Sequence, residues 1–284
     1  MSAAPFLLQH ALVTAPPSAP TRWMFVLHGI LGSGTNLRSF AKRLAAAFPE
    51  WGFILPDLRV HGLSQEAPPP HTLAAAADDL RSLEAHLGLP VAGVLGHSFG
   101  GKVALAYLDR DRRIDRLRLD QAWILDASPS ARPRGERAGS TAAIVAMLGA
   151  MPQPLPSREK FLEIVAEHGH PRGIAEWLAM NLRRSDDGFR LRLDLDAIRA
   201  LLDDYFAVDL WRVLEDGRRA RELHLVLGGA SDALDPADRA RLAALGSKVV
   251  THVLEGAGHW VHVDAPEALF ALLAGALAPS PDAR

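Results

Sequence analysis

Apolar side chains recur along this chain in two alternating rhythms. The runs Met24 to His28, Phe53 to Leu55, Val91 to Leu95, Trp123 to Leu125, Leu223 to Leu227 and Val249 to Leu254 are short and dominated by apolar residues, as strands covered on both faces require. Between them the spacing lengthens to 3.6 residues. Leu73, Ala76, Ala77, Leu80, Leu83 and Leu87 share one helical face; Thr72 is placed to cap its start, and Gly88 and Pro90 end it. Further helices are predicted over about Ser39 to Phe48, Gly101 to Leu108, Pro236 to Leu245 and Pro266 to Leu277. Strands alternating with helices predict an α/β fold, its mostly parallel central sheet flanked by helices on both faces. Pro16, Pro17 and Pro20 mark a stiff connection before the first strand, and Pro68 to Pro70 break the chain again.

Residues Ser128 to about Leu210 interrupt this alternation with helical patterns around Ala142 to Leu148, Arg158 to His168, Gly173 to Leu182 and Leu195 to Phe206. A helical block between two core strands reads as an insertion at a loop, where added chain is tolerated. The expected division is a core of residues 1–127 and 211–284 with a helical lid over 128–210. Met147, Met151, Trp177 and Met180 in that block are candidates to line an acyl-binding cleft, with ordinary packing of lid on core as the alternative for each.

Composition narrows the function classes. The chain has 284 residues, 49% of them apolar, enough for a sizeable core. A formal net charge of -2 gives no bulk electrostatic attraction for nucleic acid or anionic membrane. Cysteine is absent, which removes disulfides, thiolate catalysis and cysteine-based metal sites together. The first basic residue is Arg22, and Phe6-Leu7-Leu8 is too short for a signal core, so neither export signal nor membrane span is expected and the reading is cytoplasmic.

Candidate chemistry gathers where strands end. Gly96-His97-Ser98-Phe99-Gly100 follows one predicted strand and opens a helix, the context in which a G-x-S-x-G string holds a nucleophile on a strained turn. The glycines at 96 and 100 spare the turn side chains that would collide with Ser98, and the helix N-terminus favours developing negative charge. His28-Gly29-Ile30-Leu31-Gly32 follows the first strand; the amide of Ile30 or Leu31 is a candidate oxyanion donor beside that of Phe99. His28 itself reads as a structural hydrogen-bonding residue. Near the C-terminus, Gly256-Ala257-Gly258-His259-Trp260 offers His259 as general base on a loop free to reach a distant serine. His262 has no third ligand spaced to make a metal site, and no metal or cofactor is expected. Two acids stand at strand ends, Asp232 after Leu223 to Leu227 and Asp126 after Trp123 to Leu125, and either is placed to hold the imidazole. Position alone favours Asp232. Arg59 and His61 lie on the same side as Ser98, but a structural salt bridge or turn contact is the preferred role for both.

These strings resemble the α/β-hydrolase superfamily over nearly the whole chain. More narrowly, the chain is similar to the esterase branch holding abhydrolase domain-containing protein eleven and bacterial acyl-esterases. Leu27 to Ser33, Asp57 to Ser64, Gly96 to Lys102, Asn181-Leu182-Arg183 and Gly258 to His262 carry that likeness. The resemblance implies cofactor-free hydrolysis of small-molecule acyl esters or thioesters through an acyl-enzyme on Ser98. It also implies that members often carry an acid matching Asp126 and lack one matching Asp232, which leaves the two as equals here. Val60 stands where the branch commonly has asparagine, and the charged stretch Asp109 to Arg118 reads as a longer surface loop. Carbon–carbon bond hydrolysis or elimination on the same constellation is the alternative, and a non-catalytic ligand-binding module is a third reading. Dehalogenases and epoxide hydrolases carry an aspartate where Ser98 stands.

Overall fold

The computed structural model describes residues 6–110, 119–132, 140–217 and 219–278; of the charged stretch, residues 111–118 lie outside these. Seven strands form one sheet: β1 (His10–Val13), β2 (Arg22–Leu27), β3 (Trp51–Pro56), β4 (Val91–His97), β5 (Leu119–Leu125), β8 (Ala220–Gly228) and β9 (Val250–Leu254). A separate hairpin joins β6 (Leu182–Ser185) to β7 (Gly188–Leu191). The sheet order is β1-β3-β2-β4-β5-β8-β9, with every pairing parallel except β1 on β3. From β2 the chain steps to one side for β3 and then crosses to the other side for β4. The carboxyl ends of β2 and β4 therefore flank a topological switch point, where α/β sheets leave a crevice for ligands.

Two apolar layers sandwich the sheet. On one face α2 (Leu73–Leu87) and α3 (Phe99–Arg110) pack together; on the other lie α1 (Arg38–Ala47) and α11 (Pro266–Leu277). The helix α2 follows its spacing closely. Leu73, Ala76, Ala77, Leu80 and Leu83 are buried, and Leu87 packs partly buried on the same cluster. Thr72 Oγ1 accepts from the Ala75 N–H at 3.1 Å, a cap worth about 1 kcal/mol, and Gly88 ends the helix in the left-handed region at φ 61°.

Between β5 and β8 stand α4 (Ser140–Ala150), α5 (Arg158–Glu167), α6 (Arg172–Leu178), the β6–β7 hairpin, α7 (Leu195–Ala207) and α8 (Trp211–Asp216). The helix expected over Gly173 to Leu182 stops at Leu178, passes through a single tight turn at Ala179–Asn181 and becomes β6. Asp187-Gly188 between two short apolar-containing runs is a hairpin signal that accounts for the change. The proline-rich connection at Pro16 to Pro20 follows β1, an edge strand four residues long that apolar patterning did not reveal.

Candidate active site

The sharpest bends in the backbone coincide with the candidate chemistry. Among the described residues, four other than glycine have left-handed φ values: Leu31 at 62°, Val60 at 58°, Ser98 at 54° and Asp126 at 47°. Such a conformation costs a non-glycine residue on the order of 1–3 kcal/mol and persists only where its surroundings enforce it. Ser98 sits between β4 and α3, and its N–H continues the ladder to the Leu125 carbonyl at 2.9 Å. Asp126 makes the same bend one strand along, its N–H on the Val226 carbonyl at 2.8 Å. Two neighbouring parallel strands thus turn out of the sheet at the same level and present a hydroxyl and a carboxylate side by side.

The glycines of the elbow do work somewhat different from that expected. A Cβ on Gly96 would lie 2.1 Å from the Gly100 carbonyl oxygen, and one on Gly100 would lie 2.5 Å from the His28 carbonyl oxygen. The crowding is backbone against backbone, where α3 starts directly over β4 and against the exit of β2.

His259 arrives from the loop between β9 and α10 (Val261–Asp264). The Ser98 hydroxyl lies 2.8 Å from its Nε2, and its Nδ1 lies 2.7 Å from Asp126 Oδ2. With Nδ1–H donated to a carboxylate, Nε2 is left as the acceptor for the serine proton. Asp126 is fully buried and His259 partly exposed, their side chains 0% and 39% accessible, so the acid is hidden and the imidazole faces the cavity. Gly228 N–H donates to Asp126 Oδ1 at 2.9 Å, and Ser231 Oγ to Oδ2 at 2.5 Å. Gly228 thus holds the oxygen away from His259, and Ser231 shares Oδ2 with the imidazole.

Asp232, the acid that chain position favoured, is exposed and lies outside this arrangement. Its neighbour Ser231 is the residue that turns inward. Sequence reasoning did not single out Ser231, nor did it find the role of His97, whose Nε2–H donates to the His259 carbonyl at 2.8 Å and so holds the loop bearing the base. Burial holds the His97 pKa well below the ordinary histidine value, aided by the neighbouring His262 and His259.

The exit of β2 is equally constrained. His28 Nε2 accepts from the Leu58 N–H at 3.0 Å, so its proton is on Nδ1, which donates to the Gly29 carbonyl at 2.7 Å. That carbonyl also accepts from the Gly32 N–H at 3.1 Å. In a trans peptide the N–H opposes the C=O, so the Ile30 N–H points away from His28. The Leu31 N–H, the other candidate donor, is bonded to His61 Nε2 at 3.0 Å. His28 is structural, as expected, and burial lowers its pKa to about 4. Arg59 pairs with Asp79 in a buried bridge, Nε to Oδ2 at 2.7 Å, and also donates to the Pro68 and Pro70 carbonyls. Val60 in this loop is β-branched with a positive φ; asparagine, usual there in the similar branch, tolerates that conformation far better.

A cavity of about 200 Å³ opens over Ser98 and His259. The β2 exit forms one wall; Thr141 and Ile144 of α4 and Ile174 and Trp177 of α6 form another, with Trp260 and Val263 beside the base. Trp177 and Trp260 meet edge to face, ring centres 5.1 Å apart. Of the four residues considered for an acyl cleft, Trp177 alone lines the cavity. Met147 and Met151 are buried in the main core, and Met180 is exposed, its sulfur accepting from Asn36 Nδ2. Among the described residues, no lysine, arginine, aspartate or glutamate lines the cavity.

Comparison with known proteins gives the family and the fold. Residues 24–272 match the alpha/beta hydrolase family. The chain is 29% identical over 272 residues to the sn-1-specific diacylglycerol lipase ABHD11 of Mus musculus, covering 93% of this chain and 82% of that one. It is 28% identical over 246 residues to the esterase YbfF of Escherichia coli K12, covering 86% and 88%. Among solved structures, a marine microorganism esterase superposes with a TM-score of 0.78 at 20% identity, over 95% of this chain and 98% of that one. Since the family match runs from β2 into α11 and spans Ser98, Asp126 and His259, the chain belongs to the alpha/beta hydrolase family.

Proposed function

We propose that this chain is a serine hydrolase that cleaves carboxylic esters or thioesters of small acyl substrates through an acyl-enzyme on Ser98. The hydrogen-bonded line from Ser98 Oγ through His259 to Asp126, at 2.8 and 2.7 Å, carries this reading. Ser98 Oγ attacks the acyl carbonyl as His259 Nε2 takes its proton, and Asp126 stabilises the imidazolium that forms. The tetrahedral oxyanion is held by the amides of Ile30 and Phe99; the Leu31 amide is already committed to His61. His259 returns the proton to the leaving alcohol or thiol. Water, deprotonated by the same nitrogen, then attacks the acyl-enzyme and frees the acid. No cofactor enters these steps.

Residues 128–210 act as a lid whose α4 and α6 close the acyl cavity over the core of residues 1–127 and 211–284. The cavity is smaller than the roughly 300–1,000 Å³ of drug-sized ligand sites, and its lining among the described residues holds no lysine, arginine or carboxylate, which supports short, neutral acyl groups. The esterase and lipase names of the similar proteins point to the same reaction class, and no observation favours carbon–carbon bond cleavage. Among the described residues no helix is long and apolar enough to cross a membrane. A reducing, cytoplasmic setting suits a chain without cysteine.

Ser98→Ala is expected to abolish turnover of p-nitrophenyl butyrate while leaving the thermal midpoint unchanged within a few degrees. A fluorophosphonate is expected to add its mass to Ser98 in the wild-type chain. Full activity in the alanine variant, or a folded wild-type sample that resists labelling, overturns the assignment.

A further inference from the structure

An amide stabilises an oxyanion only if its peptide plane is fixed before charge develops, and a loop peptide is fixed only when both its polar groups are held. Leu31, next to the Ile30 donor, is held on both sides, one bond in each of the two peptides that flank it. Its N–H donates to His61 Nε2 at 3.0 Å, and its carbonyl accepts from Asn181 Nδ2 at 2.8 Å. All three residues are buried, and neither His61 nor Asn181 lines the cavity. Asn181 therefore reaches the chemistry through Leu31, while His61 touches Leu31 and also packs its ring on His28 and Phe99, ring centres 5.1 and 5.9 Å apart.

The two partners come from different parts of the fold. His61 lies in the loop after β3, and because its Nε2 receives an N–H, its Nδ1 proton is donated to the Arg59 carbonyl at 2.9 Å. The buried Arg59–Asp79 pair in turn anchors that loop to α2. Asn181 belongs to the tight turn between α6 and β6 in the insertion, where its Nδ2 also reaches the Leu178 carbonyl at 3.4 Å and its own carbonyl accepts from Arg192 N–H at 3.0 Å. A left-handed leucine at φ 62° is thus gripped by the core on its amide side and by the insertion on its carbonyl side.

We propose that Asn181 and His61 are positioning residues that clamp Leu31 and thereby set the oxyanion hole, so that the inserted segment completes the catalytic machinery as well as covering it. His61 withdraws the Leu31 amide from the hole and leaves Ile30 as the donor. Asn181 stops the Leu31–Gly32 peptide from rotating; the N–H of that peptide donates to the Gly29 carbonyl, and the Gly29–Ile30 peptide so held is the one that carries the Ile30 N–H. This inference rests on the serine-hydrolase reading above.

The test compares Asn181→Ala, Asn181→Leu and His61→Gln with the wild-type chain on p-nitrophenyl butyrate. Alongside turnover, binding is measured for an alkyl trifluoromethyl ketone, which forms a tetrahedral oxyanion on Ser98, and for an uncharged alkyl amide of the same length. Asn181→Leu keeps the side-chain volume and loses the donor, so it carries the test if the alanine variant folds poorly. In both Asn181 variants kcat is expected to fall on the order of 10²-fold with KM within about twofold, as for loss of one oxyanion donor. Ketone affinity should weaken in parallel and amide affinity should hold. His61→Gln, whose side-chain carbonyl can accept from Leu31, should keep most of the activity. Folded Asn181 variants with unchanged kcat and ketone affinity, or a loss shared equally by the amide, overturn the clamp. If wild-type chain itself neither turns over the ester nor takes the fluorophosphonate label, the failure belongs to the hydrolase reading instead.

Discussion

Asp126 and Asp232 are chemically equivalent aspartates, and their surroundings separate them. Asp126 is buried where a left-handed bend leaves β5, with Gly228, Ser231 and His259 all donating to its carboxylate. Asp232 is exposed one residue beyond Ser231. Asp126→Asn is therefore expected to lower kcat by about 10⁴-fold, because the amide favours the wrong imidazole tautomer. Asp232→Asn should leave kcat within about twofold. Steady-state rates on one ester decide between them, and equal losses would remove Asp126 from the assignment. The elbow glycines make a second prediction at this scale. A methyl group on Gly100 must displace the backbone at His28, so Gly100→Ala should destabilise the fold by several kcal/mol, read from urea unfolding. A shift below about 0.5 kcal/mol would mean that the two loops are not in contact.

At the scale of elements, the cavity exists because α4 and α6 lie over the ends of β2 and β4. The edge-to-face pair Trp177–Trp260 joins α6 to the loop bearing His259 and closes one side. Trp177→Ala should open that side and move the preferred acyl chain of p-nitrophenyl esters towards greater length, as kcat/KM across the series will record. An unchanged profile would place the acyl group elsewhere. The core helices were legible because their buried faces repeat at 3.6 residues, as Leu73 to Leu87 illustrate. The insertion was read less well. The turn at Ala179–Asn181 has three residues and the strands Leu182–Ser185 and Gly188–Leu191 four each, too short to set up an apolar period of their own.

Across the whole molecule, neutral histidines are buried in the site's walls, as His28 and His262, and behind them, as His61. Burial lowers the pKa of His28 to about 4, of His61 to about 3 and of His262 to about 4, from an ordinary value near 6.5. The unfolded chain takes up these protons near pH 6.5, while the native state refuses them until pH 4 or below. Their stabilising contribution is thus complete above pH 6.5 and is lost as pH falls through the folded values. Each group should subtract about 1.4 kcal/mol per pH unit within that window. Urea midpoints at pH 7, 6 and 5 should fall steadily, before most carboxylates titrate; a flat series would show these imidazoles to be charged or exposed.

By itself the sequence determined the alternation of strand and helix, the elbow around Ser98, the loop bearing His259 and the helical stretch that interrupts the alternation after β5, because each rests on local spacing or on glycine beside a reactive side chain. Tertiary structure alone decided which aspartate meets the imidazole, which amide of Ile30 and Leu31 stays free, and what Asn181 touches. Those outcomes depend on strand order and on the direction of individual peptide planes. Residues 98, 126 and 259 meet because β4 and β5 are neighbours and β9 ends beside β8, and nothing in the linear spacing of the three residues encodes that adjacency.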